Sequence, residues 1–172
     1  MNTKFLKVLL VAFLFCQASS ASARLIYLSA SIDGSQANAG AGTVSLATGN
    51  AALIYDDVSN LLSWEVDWSD LLGTLTVAHF HGAANPGQNA GVQVNFLGIA
   101  PGNPSIGSTN ISSAQATDLL AGLWYVNIHS TVLPGGEIRG QIGVVDVPEP
   151  STLAIFAFGV IGLASSRFKK QS

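Results

Sequence analysis

The stretch Leu62-Ser63-Trp64-Glu65-Val66-Asp67-Trp68 alternates apolar and polar residues without a break. A period of two places the four apolar side chains on one face of an extended strand and the polar ones on the other; wound as a helix, the same order would scatter both sets. The pattern recurs along the chain. Val92, Val94 and Phe96 alternate with Gln93 and Asn95, and Trp124, Val126 and Ile128 with Tyr125, Asn127 and His129. Glu137, Arg139 and Gln141 alternate with Ile138 and Ile142. Leu25–Ile32, Thr43–Thr48, Ala51–Tyr55 and Thr74–His81 read as further strands, with Gly, Asn, Asp and Pro clusters between the runs. One segment differs. Ser112 or Ser113 can cap a short helix carried by Ala114, Ala116, Leu119 and Leu120 and stopped by Gly122, and its leucines are expected to cover an open end of a sheet. The fold expected is therefore all-β, an antiparallel β-sandwich or flattened barrel of about eight strands with one short helix. The segments Gly82–Gly91 and Gly98–Asn110 are too long for hairpin turns and read as loops of the kind that carry function.

The two ends are apolar for other reasons. Lys4 and Lys7 precede the apolar run Val8–Phe15, and Ala21-Ser22-Ala23 is a small-x-small cleavage site, so residues 1–23 read as a signal peptide with an apolar signal helix, cut between Ala23 and Arg24 by signal peptidase. Cys16 does not suggest a lipoprotein, because bulky Phe15 precedes it. At the other end Pro148-Glu149-Pro150 leads into the uncharged stretch Ser151–Ser166 and then Arg167-Phe168-Lys169-Lys170. Sixteen uncharged residues lie near the lower limit for a membrane-spanning helix, and the basic tail would stay on the cytoplasmic side. Residues 147–172 thus read as a C-terminal hydrophobic helix that holds an exported domain, residues 24–146, at the membrane before processing. This end closely resembles the PEP-CTERM sorting signal. The resemblance implies an exosortase-type processing enzyme as partner and a place in the cell envelope, at the cell surface or outside the cell.

Between Arg24 and Pro150 the chain has two bases, Arg24 and Arg139, and ten acids, a net charge of −8. Such a domain repels polyanions, which argues against nucleic-acid binding. It has no cysteine, so its stability must come from an apolar core rather than from disulfides. No Gly-x-Ser-x-Gly elbow, cysteine nucleophile or phosphate-cradling Gly-x-x-x-x-Gly-Lys loop is present in it. Asp56-Asp57 and Glu65, Asp67 and Asp70 can attract calcium, but their spacing fits no EF-hand.

All three histidines lie in two strings, Ala78-His79-Phe80-His81-Gly82 and Tyr125-Val126-Asn127-Ile128-His129, the latter leading to Pro134-Gly135-Gly136-Glu137-Ile138-Arg139-Gly140-Gln141. Together with Leu119-Leu120-Ala121-Gly122 and the early Gly34-Ser35-Gln36, these strings resemble the CHRD domain family over roughly Leu25 to Val145. The loop Asn85–Gly91 departs from the family's commoner Gly-Pro approach. The resemblance implies a β-sandwich without an assigned biochemical role.

On a strand, His79 and His81 share a face at a spacing of about 6–7 Å, with Phe80 turned the other way. A His-x-His pair is a two-point seed for zinc or copper. His129, on another strand, would complete a three-histidine site if the strands are neighbours, with Glu137 as a fourth ligand or an outer partner. The bland alternative is that the histidines are hydrogen-bonded interior residues, that Glu137 and Arg139 form a surface ion pair, and that Asn127 ties a loop to the sheet. Two functions stay open: a non-enzymatic envelope or matrix domain binding a polysaccharide or envelope protein through loops or exposed aromatics such as Tyr125, with no cofactor; and a metal-binding secreted domain. A signalling-antagonist role by analogy with chordin is not the default, because shared fold is weak evidence of shared function.

Overall fold

The computed structural model describes residues 24–146. The expected signal segment and the sorting tail with Pro148, Glu149, Pro150 and its hydrophobic helix lie outside the described residues. Among the described residues no helix is long and apolar enough to cross a membrane.

The strands are β1 (Leu25–Asp33), β2 (Thr48–Asp56), β3 (Leu61–Ser69), β4 (Leu75–His81), β5 (Val92–Val94), β6 (Ser105–Asn110), β7 (Tyr125–Ser130), β8 (Ile138–Gln141) and β9 (Gly143–Val144). Two helices interrupt them, α1 (Phe96–Ile99) and α2 (Ser113–Leu120). The strands form one antiparallel sheet in the order β5-β4-β7-β8-β1-β2-β3-β6, with β9 also on β1. The sheet curls until its inner face packs on itself. Trp64 of β3 meets Phe80 of β4 edge-on at 5.7 Å, although the two strands lie towards opposite ends of the order. Phe96 of α1 stacks on Phe80 at 4.6 Å, and α1 packs against both β4 and β6. The curl lets alternating strands bury Leu28, Ile32, Leu53, Leu62, Phe80, Val126 and Ile128 in a single core. Each such side chain contributes about 1.5–3 kcal/mol of hydrophobic stabilisation, which is how a domain without disulfides holds together.

The antiparallel β fold expected from periodicity is present, and so is the helix. Ser112 caps α2 in a reciprocal box with Gln115, Leu119 is fully buried, and Gly122 follows at φ +73°. Two expectations fail. Thr43–Thr48 is not a strand apart from its last residue, which opens β2. Its alternation is real but has the wrong phase: Ser45 and Ala47 are buried while Val44 and Leu46 are 85 % and 91 % exposed. Ser45 is drawn inwards by a 2.6 Å hydrogen bond to Glu137, so the apolar residues turn outwards. Gly98–Asn110 is not one loop, because its second half is β6, whose ladder runs along the backbone of β3. Only one large apolar residue, Ile106, stands in β6 to announce it.

Candidate metal centre

Strand register builds the site as a grid on the outer face of β4, β7 and β8. His79 pairs with Asn127, Asn127 with Arg139, and Arg139 with Asp33 of β1. The next row runs His81, Tyr125, Gln141, and on the other side Val77 pairs with His129. Directly paired residues of antiparallel strands project from the same face, so three imidazoles from two strands converge. Ring centroids lie 5.5 Å apart for His79–His81, 5.7 Å for His79–His129 and 6.2 Å for His81–His129. One nitrogen from each ring lies within 4.8 Å of the other two. A tetrahedral ion with bonds of about 2.0–2.1 Å needs separations of ~3.3 Å, so the rings must draw closer together to hold one.

The ring hydrogen bonds define which nitrogens are available. Nδ1 of His81 lies 2.9 Å from the Ala90 carbonyl, and Nδ1 of His129 lies 2.8 Å from the Pro134 carbonyl. A carbonyl only accepts, so both Nδ1 atoms carry the proton and both Nε2 atoms present lone pairs. Nε2 of His81 and Nδ1 of His79 are buried with no partner. Nε2 of His129 accepts from the Asn127 amide at 3.1 Å. Burial, the facing His81 and then His129 push the His79 pKa below its ordinary value. Burial also lowers that of His81; the Ala90 bond opposes the shift, while His129 and Arg139 add to it. Neutral imidazoles are the form that ligates metal. Buried polar atoms are almost always paired; among the described residues four side-chain atoms are not, two of them on these rings and the others Trp124 Nε1 and Glu137 Oε2.

Below the rings lies a stack. His81 packs on the Tyr125 ring at 5.0 Å with 10° between planes, and the Arg139 guanidinium carbon sits 3.5 Å from the Tyr125 ring centroid. The Tyr125 hydroxyl accepts from the Ala90 amide at 3.0 Å, which ties the loop 82–91 to the site. Tyr125 is 2 % exposed, so the expectation of an exposed binding aromatic is corrected: the covering loop and Arg139 close both ends of the ring. Two glycines of the motifs have steric reasons. A side chain on Gly82 would strike the Trp124 indole, and one on Gly136, at φ +121°, would strike the Asn127 amide.

Glu137 and Arg139 are not a surface pair. Both are buried, Glu137 at 0 % and Arg139 at 3 % exposure. Arg139 donates to Asn89 and Gln141, whereas Glu137 accepts from Ser45 and from the Leu72 amide, each at 2.6 Å. Glu137 is not among the clustered ligand atoms. Burial alone would raise its pKa; bonds from the Ser130 and Ser45 hydroxyls and the Leu72 and Gly73 amides outweigh that and hold it below its ordinary value. Asn127 bonds His129 rather than a loop. The Arg139–Tyr125–His81 stack is the part that sequence reasoning missed. Its one signal was an arginine set between core isoleucines in a domain with only one other base.

The family model described as the CHRD domain matches residues 28–142, and the one described as the PEP-CTERM protein-sorting motif matches residues 146–170. No curated protein and no solved structure matches the chain.

Proposed function

From the premise that the chain belongs to the CHRD domain family and carries a PEP-CTERM sorting signal, we propose that it is a non-enzymatic module of the envelope or extracellular matrix that works by holding a transition-metal ion, zinc or copper, on His79, His81 and His129. The sorting signal makes it an exported, surface- or envelope-associated protein and implies processing by an exosortase-type enzyme. The observation that carries the metal reading is that one nitrogen from each of the three rings lies within 4.8 Å of the other two, with His79 and His81 each keeping a buried ring nitrogen without a partner. Carbonyl bonds to His81 and His129 are the outer contacts that orient metal-binding imidazoles. Among the described residues no carboxylate joins the three rings. Exposed Val44 lines a shallow groove with Leu133 and Pro134, next to the carbonyl that holds His129, and gives a macromolecular partner an apolar foothold.

Metal analysis of the full chain purified without a histidine tag tests the reading. About one zinc or copper per chain is expected, falling when any one of the three histidines becomes alanine. Protein that holds neither ion, and whose melting temperature ignores both, would contradict it, because a ligand selective for the native state must stabilise that state.

A further inference from the structure

Resting on that metal reading, we propose that the bound ion takes its remaining ligand from outside the chain, and that this ligand is a carboxylate. Charge carries the argument. Three neutral imidazoles leave the full charge of a divalent ion uncompensated, and among the described residues no Asp or Glu joins the cluster. Two acids in the neighbouring strands are already committed. Glu137 is held by Ser45 and Leu72, and Asp33, although paired across strands with Arg139, accepts from Ser35 and Gln36.

Arg139 adds a second positive charge. It is 3 % exposed, and its donors reach only neutral oxygens, Asn89 at 3.4 Å and Gln141 at 3.3 Å. It lies against Tyr125, the ring on which His81 stacks, and the Tyr125 hydroxyl is bonded to Ala90. No carboxylate lies among the three rings or bonds Arg139, and a site with three protein ligands has a position to fill. The rest of the domain points the other way. Residues 24–146 carry nine acids against Arg24 and Arg139, so a polyanion is repelled at long range. The surface therefore selects for a single carboxylate bound directly to the ion rather than for diffuse anionic charge. Half-buried His79 and His129 leave the approach open. Two sources fit this chemistry: an acidic sugar outside the cell, or a second copy, whose β3 exposes Glu65 and Asp67.

The test uses the full chain, purified without a tag and loaded with cobalt(II), whose visible absorption reports its ligands. Titration with acetate should change the spectrum saturably. Arg139→Gln should weaken acetate about tenfold at unchanged cobalt content, and Arg139→Lys should restore most of it. Should the glutamine variant not fold, the wild-type titration still decides. Sedimentation of the loaded protein without acetate separates the sources. Association reversed by acetate or by Glu65→Gln with Asp67→Asn places the carboxylate on a second copy. A monomer that binds acetate, and binds a single uronic acid but not its carboxyl-reduced form, assigns it to a sugar. A cobalt-loaded protein whose spectrum ignores acetate overturns this proposal and leaves the metal reading standing; a chain that takes up no cobalt overturns both.

Discussion

Glu137 and the histidine cluster belong to the same fold, and each places ionisable groups where water is scarce, yet they are built to opposite rules. Around Glu137 the Ser45 hydroxyl and the Leu72 amide both bond Oε1, joining segments 43–47, 70–73 and 130–137 through one carboxylate, while Oε2 has no partner in bonding geometry. Around His79 and His81 a nitrogen of each ring has nothing to bond, and the Arg139 guanidinium acts on His81 as a positive charge. The bonded carboxylate oxygen stabilises the loops it joins; a ring nitrogen left unbonded costs stability until something fills it. The contrast separates a group that shapes the loops from a group that waits for a ligand.

The largest expected effect lies at Glu137. Glu137→Ala should cost about 3 kcal/mol or more, because at least two charge-assisted hydrogen bonds are lost and the Leu72 amide is stranded. His81→Ala in the metal-free protein should cost less than about 1 kcal/mol, since the lost Ala90 bond is offset by relief of a buried polar ring. Denaturant unfolding compares them, and equal costs would break the contrast. Next comes metal: at a hundredfold excess over Kd, zinc should add about 2.7 kcal/mol to the wild type and nothing measurable to His79→Ala or His129→Ala.

Acid should separate the two regions. His79 and His81 have native pKa values lowered from 6.5, so below that pH the unfolded chain takes up protons first and the metal-free protein begins to lose stability. Glu137 is lowered from 4.5, so its contribution is intact above that pH and fades only as the pH falls below it. Replacing both histidines by glutamine should remove the upper step and leave the lower. The smallest effect is at Asn127. Asn127→Ala frees Nε2 of His129 while the Pro134 bond still orients the ring, so zinc affinity should rise about fivefold by calorimetry, the equivalent of one ordinary hydrogen bond.

Strands with one wet face were legible. Leu62 to Trp68 in β3 shows its burial in its spelling, and the Ser112 cap with Gln115 announces α2. The imidazole pair was legible too, because i and i+2 must share a face of a strand. The neighbours of the pair were not, because register across β7 and β8 is set by loops distant in sequence. Tyr125 alternates as though wet, yet Arg139 and the loop at Ala90 cover it. Glu137 and Arg139 look like a surface pair in sequence, but the chain carries their side chains into separate networks. In Thr43–Thr48 a side chain–carboxylate bond overrides the hydrophobic phase, something that local pattern alone does not encode.

X-ray absorption at the metal edge, on the exported protein purified without a tag, tests the central claim most directly. The account predicts three imidazole nitrogens at about 2.0–2.1 Å with one oxygen ligand, and a weakened imidazole multiple-scattering signature or loss of the metal in His81→Ala. An all-oxygen shell, or no bound metal, would contradict it.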